Sequence, residues 1–186
     1  MRFNRHSDLS GLHSMLSPSS YHWINYSIDK LDQRIDTVSA ARRGSELHDF
    51  ASQAITLGIK LPKTQATLNQ YVNDCIGWRM SPEVLLYYSM NCFGTADAIA
   101  FRQNILRISD LKTGTSRTSV HQLEVYAALF FLEYNVKLFE VEIELRIYQE
   151  DGVTLFETDR DAIAHIMDRI QQFDKHINQR RKETEL

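Results

Sequence analysis

The middle of the chain contains three short stretches rich in β-branched and aromatic residues, and they limit the fold more than any other feature. These stretches are EVLLYYSMN (83–91), TADAIAF (95–101) and NILRISDLK (104–112), and turn-prone residues separate them. Such composition is typical of strands, and the short connections predict three consecutive antiparallel strands. The fold must therefore be built on this sheet.

Helical periodicity surrounds these strands. Amphipathic spacing predicts helices at residues 17–31, 39–57 (ended by Gly58), 64–78, 120–135 and 159–177, the last capped by Thr158 or Asp159. Two further strands, 139–149 and 153–158, are predicted to pair through Asp151-Gly152, a dipeptide favoured in tight hairpins. The expected fold class is α/β, with a helical N-terminal third and a central mixed sheet of about five strands flanked by helices.

Length and charge limit the organisation and the partners. A chain of 186 residues fits one domain spanning positions 1–186. The formal net charge of −3 argues against coating nucleic acid by bulk electrostatics, so any DNA contact is expected to be local. The basic residues available for such a patch, or simply for a solvated surface, are Arg42, Arg43, Arg102, Arg107, Arg117 and the tail run Arg180, Arg181 and Lys182.

Targeting and cysteine signals are weak. No apolar run approaches the roughly 18 residues of a membrane span, and the first residues lack the apolar stretch of a secretory signal, so a cytoplasmic location and no membrane partner are predicted. Cys75 and Cys92 have no CxxC spacing. They predict reduced, half-buried thiols rather than a zinc site or a disulfide.

The chemistry is expected where two strands carry carboxylates. In the third strand, alternation places Asp110 and Lys112 on one face after apolar Leu106 and Ile108. In the strand before it, Asp97 shares a face with two apolar residues, Ile99 and Phe101. Because an isolated buried charge is costly, such groups are expected to be paired or to bind metal.

Two interpretations remain open on these residues alone. Carboxylate oxygens suit Mg²⁺ or Mn²⁺, and such an ion equips a site for phosphodiester hydrolysis. The alternative is structural: Asp110 and Lys112 form an ion pair at the strand end, and Asp97 caps a turn. Glu83, which begins the first strand, is either a second acidic contact or a solvated residue at the strand edge.

Four motifs in order resemble the RecB-like branch of the PD-(D/E)XK nuclease superfamily. They are RGSELH with Gly44 and His48, GTADAIAF with Asp97, ISDLKTG with Asp110 and Lys112, and HQLEVYAAL with Gln122 and Tyr126. With the entry segment SPSSYHWIN, the resemblance spans roughly residues 16–130. It implies a restriction-endonuclease-like core.

The resemblance also implies roles for these residues. His48, Asp97 and Asp110 would bind the metal together with the backbone carbonyl of Leu111, and Lys112 would orient the attacking water. Gln122 and Tyr126 would share a helix face and reach the site, although Tyr126 could instead pack in the core and His48 could be structural. A nitrogen ligand would favour Mn²⁺ over Mg²⁺.

The implied function is metal-dependent DNA cleavage. With two cysteines and no Gly-x-x-x-x-Gly-Lys-[Ser/Thr] motif, neither an iron-sulfur cluster nor a fused helicase is expected. A stand-alone exonuclease in DNA recombination, repair or viral DNA processing is predicted, either as a homo-oligomer or with a recombination protein as partner. The alternatives are a structure-selective or nicking endonuclease and a catalytically silent DNA-binding or adaptor protein.

Overall fold

The computed structural model of the protein describes residues 14–114, 119–150 and 152–184. Its contacts divide the chain into two units, Met1–Arg42 and Arg43–Leu186. The prediction of one domain over residues 1–186 is not tested by this division, because helix α1 begins in the first unit and ends in the second. None of the helices in the described ranges is long and apolar enough to cross a membrane; the cytoplasmic location stays a prediction.

The N-terminal helices differ from those predicted. Pro18–Asn25 is a 3₁₀ helix with a kink at Ser20, and the α-helix that follows, α1, runs without interruption over Ile28–Leu57. The prediction of separate helices at 17–31 and 39–57 is therefore wrong. Residues 32–43 contain no glycine or proline, so nothing in the backbone ends the helix there. Gly58, with φ of 67°, ends α1 as predicted.

The five predicted strands are present and form one sheet in the order β1-β2-β3-β4-β5. The strands are β1 Ser81–Ser89, β2 Cys92–Arg102, β3 Ile105–Lys112, β4 Glu142–Gln149 and β5 Gly152–Glu157. All neighbours pair antiparallel except β3 and β4, which are parallel. A parallel pair needs a long crossover, and helix α3 His121–Glu133 supplies it. The α/β fold class with a mixed sheet is confirmed.

Helices cover both faces of the sheet. The C-terminal part of α1 packs with helix α2 Thr67–Trp78 against one face, around Ala98 and Leu111. On the other face, α3 packs with helix α4 Arg160–Thr184 around Leu106 and Ile108. Of the two proposed caps of α4, Asp159 is the one that acts, because its Oδ1 accepts the amide of Asp161 at 2.9 Å.

Two tight turns set the strand register. Between β2 and β3, pairing ends at Arg102 and Ile105, and the two turn residues Gln103 and Asn104 have φ of 51° and 59°. Positive φ at both positions is typical of the type I′ turn that matches the twist of a hairpin. In the turn between β4 and β5, Glu150 has φ of 55°, while Asp151 lies outside the described residues.

The side-chain alternation of β2 is interrupted in the middle of the strand. Gly94 lies beside Tyr126 of α3, and Ile99 and Phe101 also face the α3 side. Residues 94 and 99 could not share a face in a regular strand, because they are five positions apart. The change of face falls around Asp97. The prediction that Asp97 shares the face of Ile99 and Phe101 rests on regular alternation, and β2 is irregular at this position; the face of Asp97 stays a prediction.

Candidate functional site

Three acidic residues occupy one transverse row of the sheet. In the register of β2 with β3, pairing stops at Ala98 and Ser109, and the next position brings Asp97 opposite Asp110. Between β1 and β2, the pairs on either side of this row are Pro82 with Ala98 and Val84 with Ala96, so Glu83 lies opposite Asp97. The row Glu83, Asp97, Asp110 thus crosses three adjacent strands where their pairing is broken.

Asp97 is held by groups from two other elements. Its Oδ2 accepts the backbone amide of Leu111 at 3.0 Å and lies 3.3 Å from Nδ1 of His48. The side chain is 18% exposed. Burial raises the pKa of Asp97 above its usual value, although the Leu111 hydrogen bond and His48 oppose that rise. A carboxylate in this position is costly to keep ionised without a further positive charge.

Asp110 forms an ion pair and remains incompletely satisfied. Nζ of Lys112 lies 3.0 Å from its Oδ1 and 2.9 Å from its Oδ2, but only the first contact has hydrogen-bond geometry. Among the described residues, Oδ2 is a buried oxygen with no hydrogen-bond donor. Burial, then the nearby Asp97 carboxylate, raise the pKa of Asp110. The ion pair of the structural interpretation exists, yet it does not use the full acceptor capacity of the carboxylate.

A chain of hydrogen bonds joins the ion pair to helix α3. Nζ of Lys112 donates to Oε1 of Gln122 at 3.1 Å, and Nε2 of Gln122 donates to the hydroxyl of Tyr126 at 3.2 Å. The two α3 residues are four positions apart and share a face, as predicted. A Cβ at Gly94 would lie 3.1 Å from Cε1 of Tyr126, so glycine at this position leaves room for the Tyr126 ring.

His48 reaches the row from α1, one turn after Gly44. A Cβ at Gly44 would lie 2.9 Å from Oγ1 of Thr113, a distance that real Cβ atoms do not adopt. Glycine at position 44 therefore allows a close approach, and this brings α1 against the chain just after Lys112. His48 is 29% exposed, which leaves its imidazole accessible from solvent.

Glu83 joins the site in a way that the strand pattern did not indicate. Ligand atoms of Glu83, His48 and Asp97 all lie within 4.8 Å of one another. The backbone of Glu83 has φ of 50°, which is uncommon for a residue other than glycine and costs on the order of 1 kcal/mol or more. A residue held in this conformation within a strand departs from the regular pleat. Here the departure accompanies a close approach of its carboxylate to that of Asp97 on the next strand.

The donor set fits a divalent cation. Carboxylate oxygens and one imidazole nitrogen are ligands that Mn²⁺ and Mg²⁺ accept. Oδ2 of Asp110 lies 2.9 Å from Nζ of Lys112 without hydrogen-bond geometry, so it retains acceptor capacity. The clustered set is His48, Glu83 and Asp97, whereas Asp110 is engaged with Lys112. Leu111 contributes its amide to Asp97; the role of its carbonyl as a ligand stays a prediction.

The basic residues predicted for a DNA-contacting patch have different environments. Arg107 pairs with Glu144 at 2.9 Å and is not available as a free surface cation. The tail residues Arg180, Arg181 and Lys182 are exposed at the end of α4, and Arg117 lies outside the described residues. Cys75 is fully buried rather than half-buried, and burial raises the pKa of its thiol; Cys92 is half-buried.

Comparison with known proteins gives no assignment. Scans against protein-family models, curated proteins and solved structures each find no match to this chain. The resemblance to the PD-(D/E)XK nucleases therefore stays a prediction carried by the four motifs.

Proposed function

We propose that this protein is a metal-dependent DNA nuclease, most simply an exonuclease. The observation that carries the proposal is the row Glu83, Asp97, Asp110 at the broken pairing of three strands, with Lys112 bound to its last member. A concentration of carboxylates with one ammonium and an unsatisfied acceptor is unfavourable for folding by itself. It is useful where a cation and an anionic substrate meet.

The residues of the row and their neighbours His48 and Leu111 have proposed roles that follow from their contacts. His48, Glu83 and Asp97 would hold Mn²⁺ or Mg²⁺, with Asp110 beside them. The bound ion would supply an acidified water and positive charge for a phosphodiester. The Leu111 amide donates a hydrogen bond to Oδ2 of Asp97, and this bond fixes the orientation of the carboxylate.

Lys112 is placed to donate hydrogen bonds and to stabilise negative charge at the site. Its ammonium is held between Asp110 and Gln122, so it has a fixed position instead of the free motion of a surface lysine. From that position it can donate a hydrogen bond to a phosphate oxygen or to an attacking water. Tyr126 positions Gln122, and Gln122 in turn positions the ammonium.

The test is a cleavage assay with linear, closed circular and single-stranded DNA, in Mn²⁺, Mg²⁺ or EDTA. The Asp110→Ala and Lys112→Ala variants should lose cleavage while keeping the wild-type circular dichroism spectrum. Glu144→Gln is a matched control, since it removes a carboxylate that pairs with β3 outside the row. Degradation of linear DNA alone would support an exonuclease, and cutting of closed circles an endonuclease. DNA binding with no metal-dependent cleavage would contradict the nuclease and favour an adaptor.

A further inference from the structure

A separate cleft opens on the α3 side of the sheet, between the beginning of β1, the end of β2 and the C-terminal end of α3. Its volume is about 250 Å³. The residues that give it its character are two arginines and three aromatic rings: Arg79, Arg102, Phe101, Phe130 and Tyr134. None of them belongs to the acidic row.

The rings of the cleft form a partly exposed ladder. The Phe130 centroid lies 5.3 Å from that of Phe101 and 5.0 Å from that of Tyr134. Phe101 is 37% exposed and Tyr134 is 44% exposed, so both present aromatic surface to solvent. Exposed rings beside a concave surface are suited to stacking on a planar ligand.

The two arginines are electrostatically uncompensated. Among the residues that the structure describes, neither Arg79 nor Arg102 lies within ion-pair distance of a carboxylate. Arg79 follows α2 directly with φ of 55°, and its amide is bonded to the Ile76 carbonyl at 3.1 Å, so its backbone is fixed. In a chain of net charge −3, two such guanidinium groups at one cleft indicate an anionic ligand.

The cleft lies close to the acidic row along the chain. Val84, which lines it, follows Glu83, and Ile99 comes two residues after Asp97. Phe101 is four positions from Asp97, about 13 Å at the usual strand rise of about 3.3 Å per residue. A separation of about 13 Å along the strand is short enough for a few nucleotides to span.

We infer that this cleft binds an unstacked nucleotide of single-stranded DNA, with its base against the aromatic ladder and its phosphates at Arg79 and Arg102. The choice of DNA rests on the proposed function. The volume is below the roughly 300–1,000 Å³ of pockets that enclose drug-sized ligands, so it suits one base rather than a folded segment. A duplex would keep its bases stacked and would not fill the cleft.

The experiment measures binding of a fluorescent oligothymidylate, about ten nucleotides long, by anisotropy in EDTA, where the proposed cleavage cannot occur. Phe101→Leu should weaken binding about fivefold or more through lost stacking. Arg79→Asn, which tolerates the left-handed backbone, and Arg102→Ala should each lower affinity and reduce the salt slope by about 0.7. Matched controls are Arg169→Ala and Phe173→Leu, an exposed cation–aromatic pair on α4 whose partners lie 4.1 Å apart.

Loss in the three cleft variants with wild-type binding in the two controls would support the inference. Equal binding by all variants, no binding by the wild type, or a preference for duplex of the same length would overturn it. The proposed function is judged separately by cleavage in Mn²⁺. If the wild type cleaves DNA but the cleft variants bind as well as it does, the inference fails and the nuclease stands. If the cleft variants lose binding but the wild type does not cleave DNA, the proposed nuclease function fails and the binding cleft stands.

Discussion

Strand β3 carries two ion pairs that differ in their surroundings. Arg107 meets Glu144 at 2.9 Å, a second arginine, Arg146, lies 3.5 Å from the same carboxylate, and both guanidinium groups lie over the Trp78 ring. At the other end of β3, Lys112 meets Asp110, but Asp97 and Glu83 occupy the next two strands. Positive charge is in excess in the first group, and aromatic surface covers it. Negative charge is in excess in the second, and among the described residues no donor reaches Oδ2 of Asp110 with hydrogen-bond geometry.

Local charge balance distinguishes a structural ion pair from a candidate functional site. Both pairs have a contact of 2.9 Å, so distance does not separate them, and burial separates only the carboxylates, because Asp110 is 3% exposed and Glu144 is 18% exposed. Charge balance separates the pairs, because three carboxylates against one ammonium leave a local excess that folding alone has no reason to maintain.

Removing the cation of each pair should affect cleavage very differently. Lys112→Met should lower the cleavage rate by about 10²–10³-fold, the usual cost of losing a donor that stabilises transition-state charge. Arg107→Met should cleave near the wild-type rate, because its guanidinium is directed at Glu144 and Trp78. Rates on linear DNA in Mn²⁺ measure this, and equal losses in both variants would remove the distinction between the two pairs.

Metal addition should stabilise the protein through the acidic row only. Mn²⁺ at about 100 times its Kd stabilises the folded state by about 2.7 kcal/mol, or about 5–10 °C in Tm for a chain of this size. Arg107→Met should keep this rise, Glu83→Gln should reduce it, and Asp97→Asn should abolish it. Differential scanning fluorimetry with and without Mn²⁺ gives the values, and an undiminished rise in Asp97→Asn would place the ion elsewhere.

The Arg107 group should matter more for metal-free stability. Glu144→Gln leaves two guanidinium groups without their carboxylate and should cost about 1–2 kcal/mol, a small value because the side chains keep some solvent. The expected fall is about 2–8 °C in Tm in EDTA. Thermal unfolding of Glu144→Gln beside Asp110→Asn checks it: a larger loss in the second variant would make the Asp110 pair the structural one.

The pH dependence of metal-free stability should carry the sign of a buried carboxyl. Because burial raises the pKa of Asp97, the folded protein holds that proton more tightly than the unfolded chain. Its stabilising contribution is complete below the unfolded pKa and is lost as pH rises through the folded one. In EDTA, Asp97→Asn should thus be more stable than the wild type at pH 7.

That gain should shrink towards pH 4, near the ordinary pKa of an aspartic acid, about 3.9. The asparagine can still accept the Leu111 amide, so the hydrogen bond is a constant between the two proteins. Urea unfolding at a series of pH values measures the difference. A gain that is constant across pH would mean that the ionised Asp97 carries no penalty.

Regular periodicity made much of the site predictable from sequence. Alternation placed Asp110 and Lys112 on the side of β3 that faces α3, and helical spacing placed Gln122 and Tyr126 on one face. These residues follow the period of the element that carries them. The type of element is therefore sufficient to predict which of these residues share a face.

Glu83 and the change of face at Asp97 could not be predicted in the same way. Both are departures from the strand period, set by the pairing of three strands and by helix contacts distant in sequence. The unbroken α1 was missed for a related reason: the whole helix Ile28–Leu57 is weakly amphipathic, so apolar spacing alone does not show its continuity. Local pattern describes regular structure, whereas the site lies where regularity ends.

The type I′ turn at Gln103 and Asn104 has a consequence for how this chain tolerates insertions. This turn connects β2 to β3, and its length sets the register in which the two strands pair. One extra residue there would slide Asp97 past Asp110 and set it beside an apolar or hydroxyl neighbour. Length variation at this hairpin tip, harmless in most surface loops, should therefore be as damaging here as replacing an acidic residue outright.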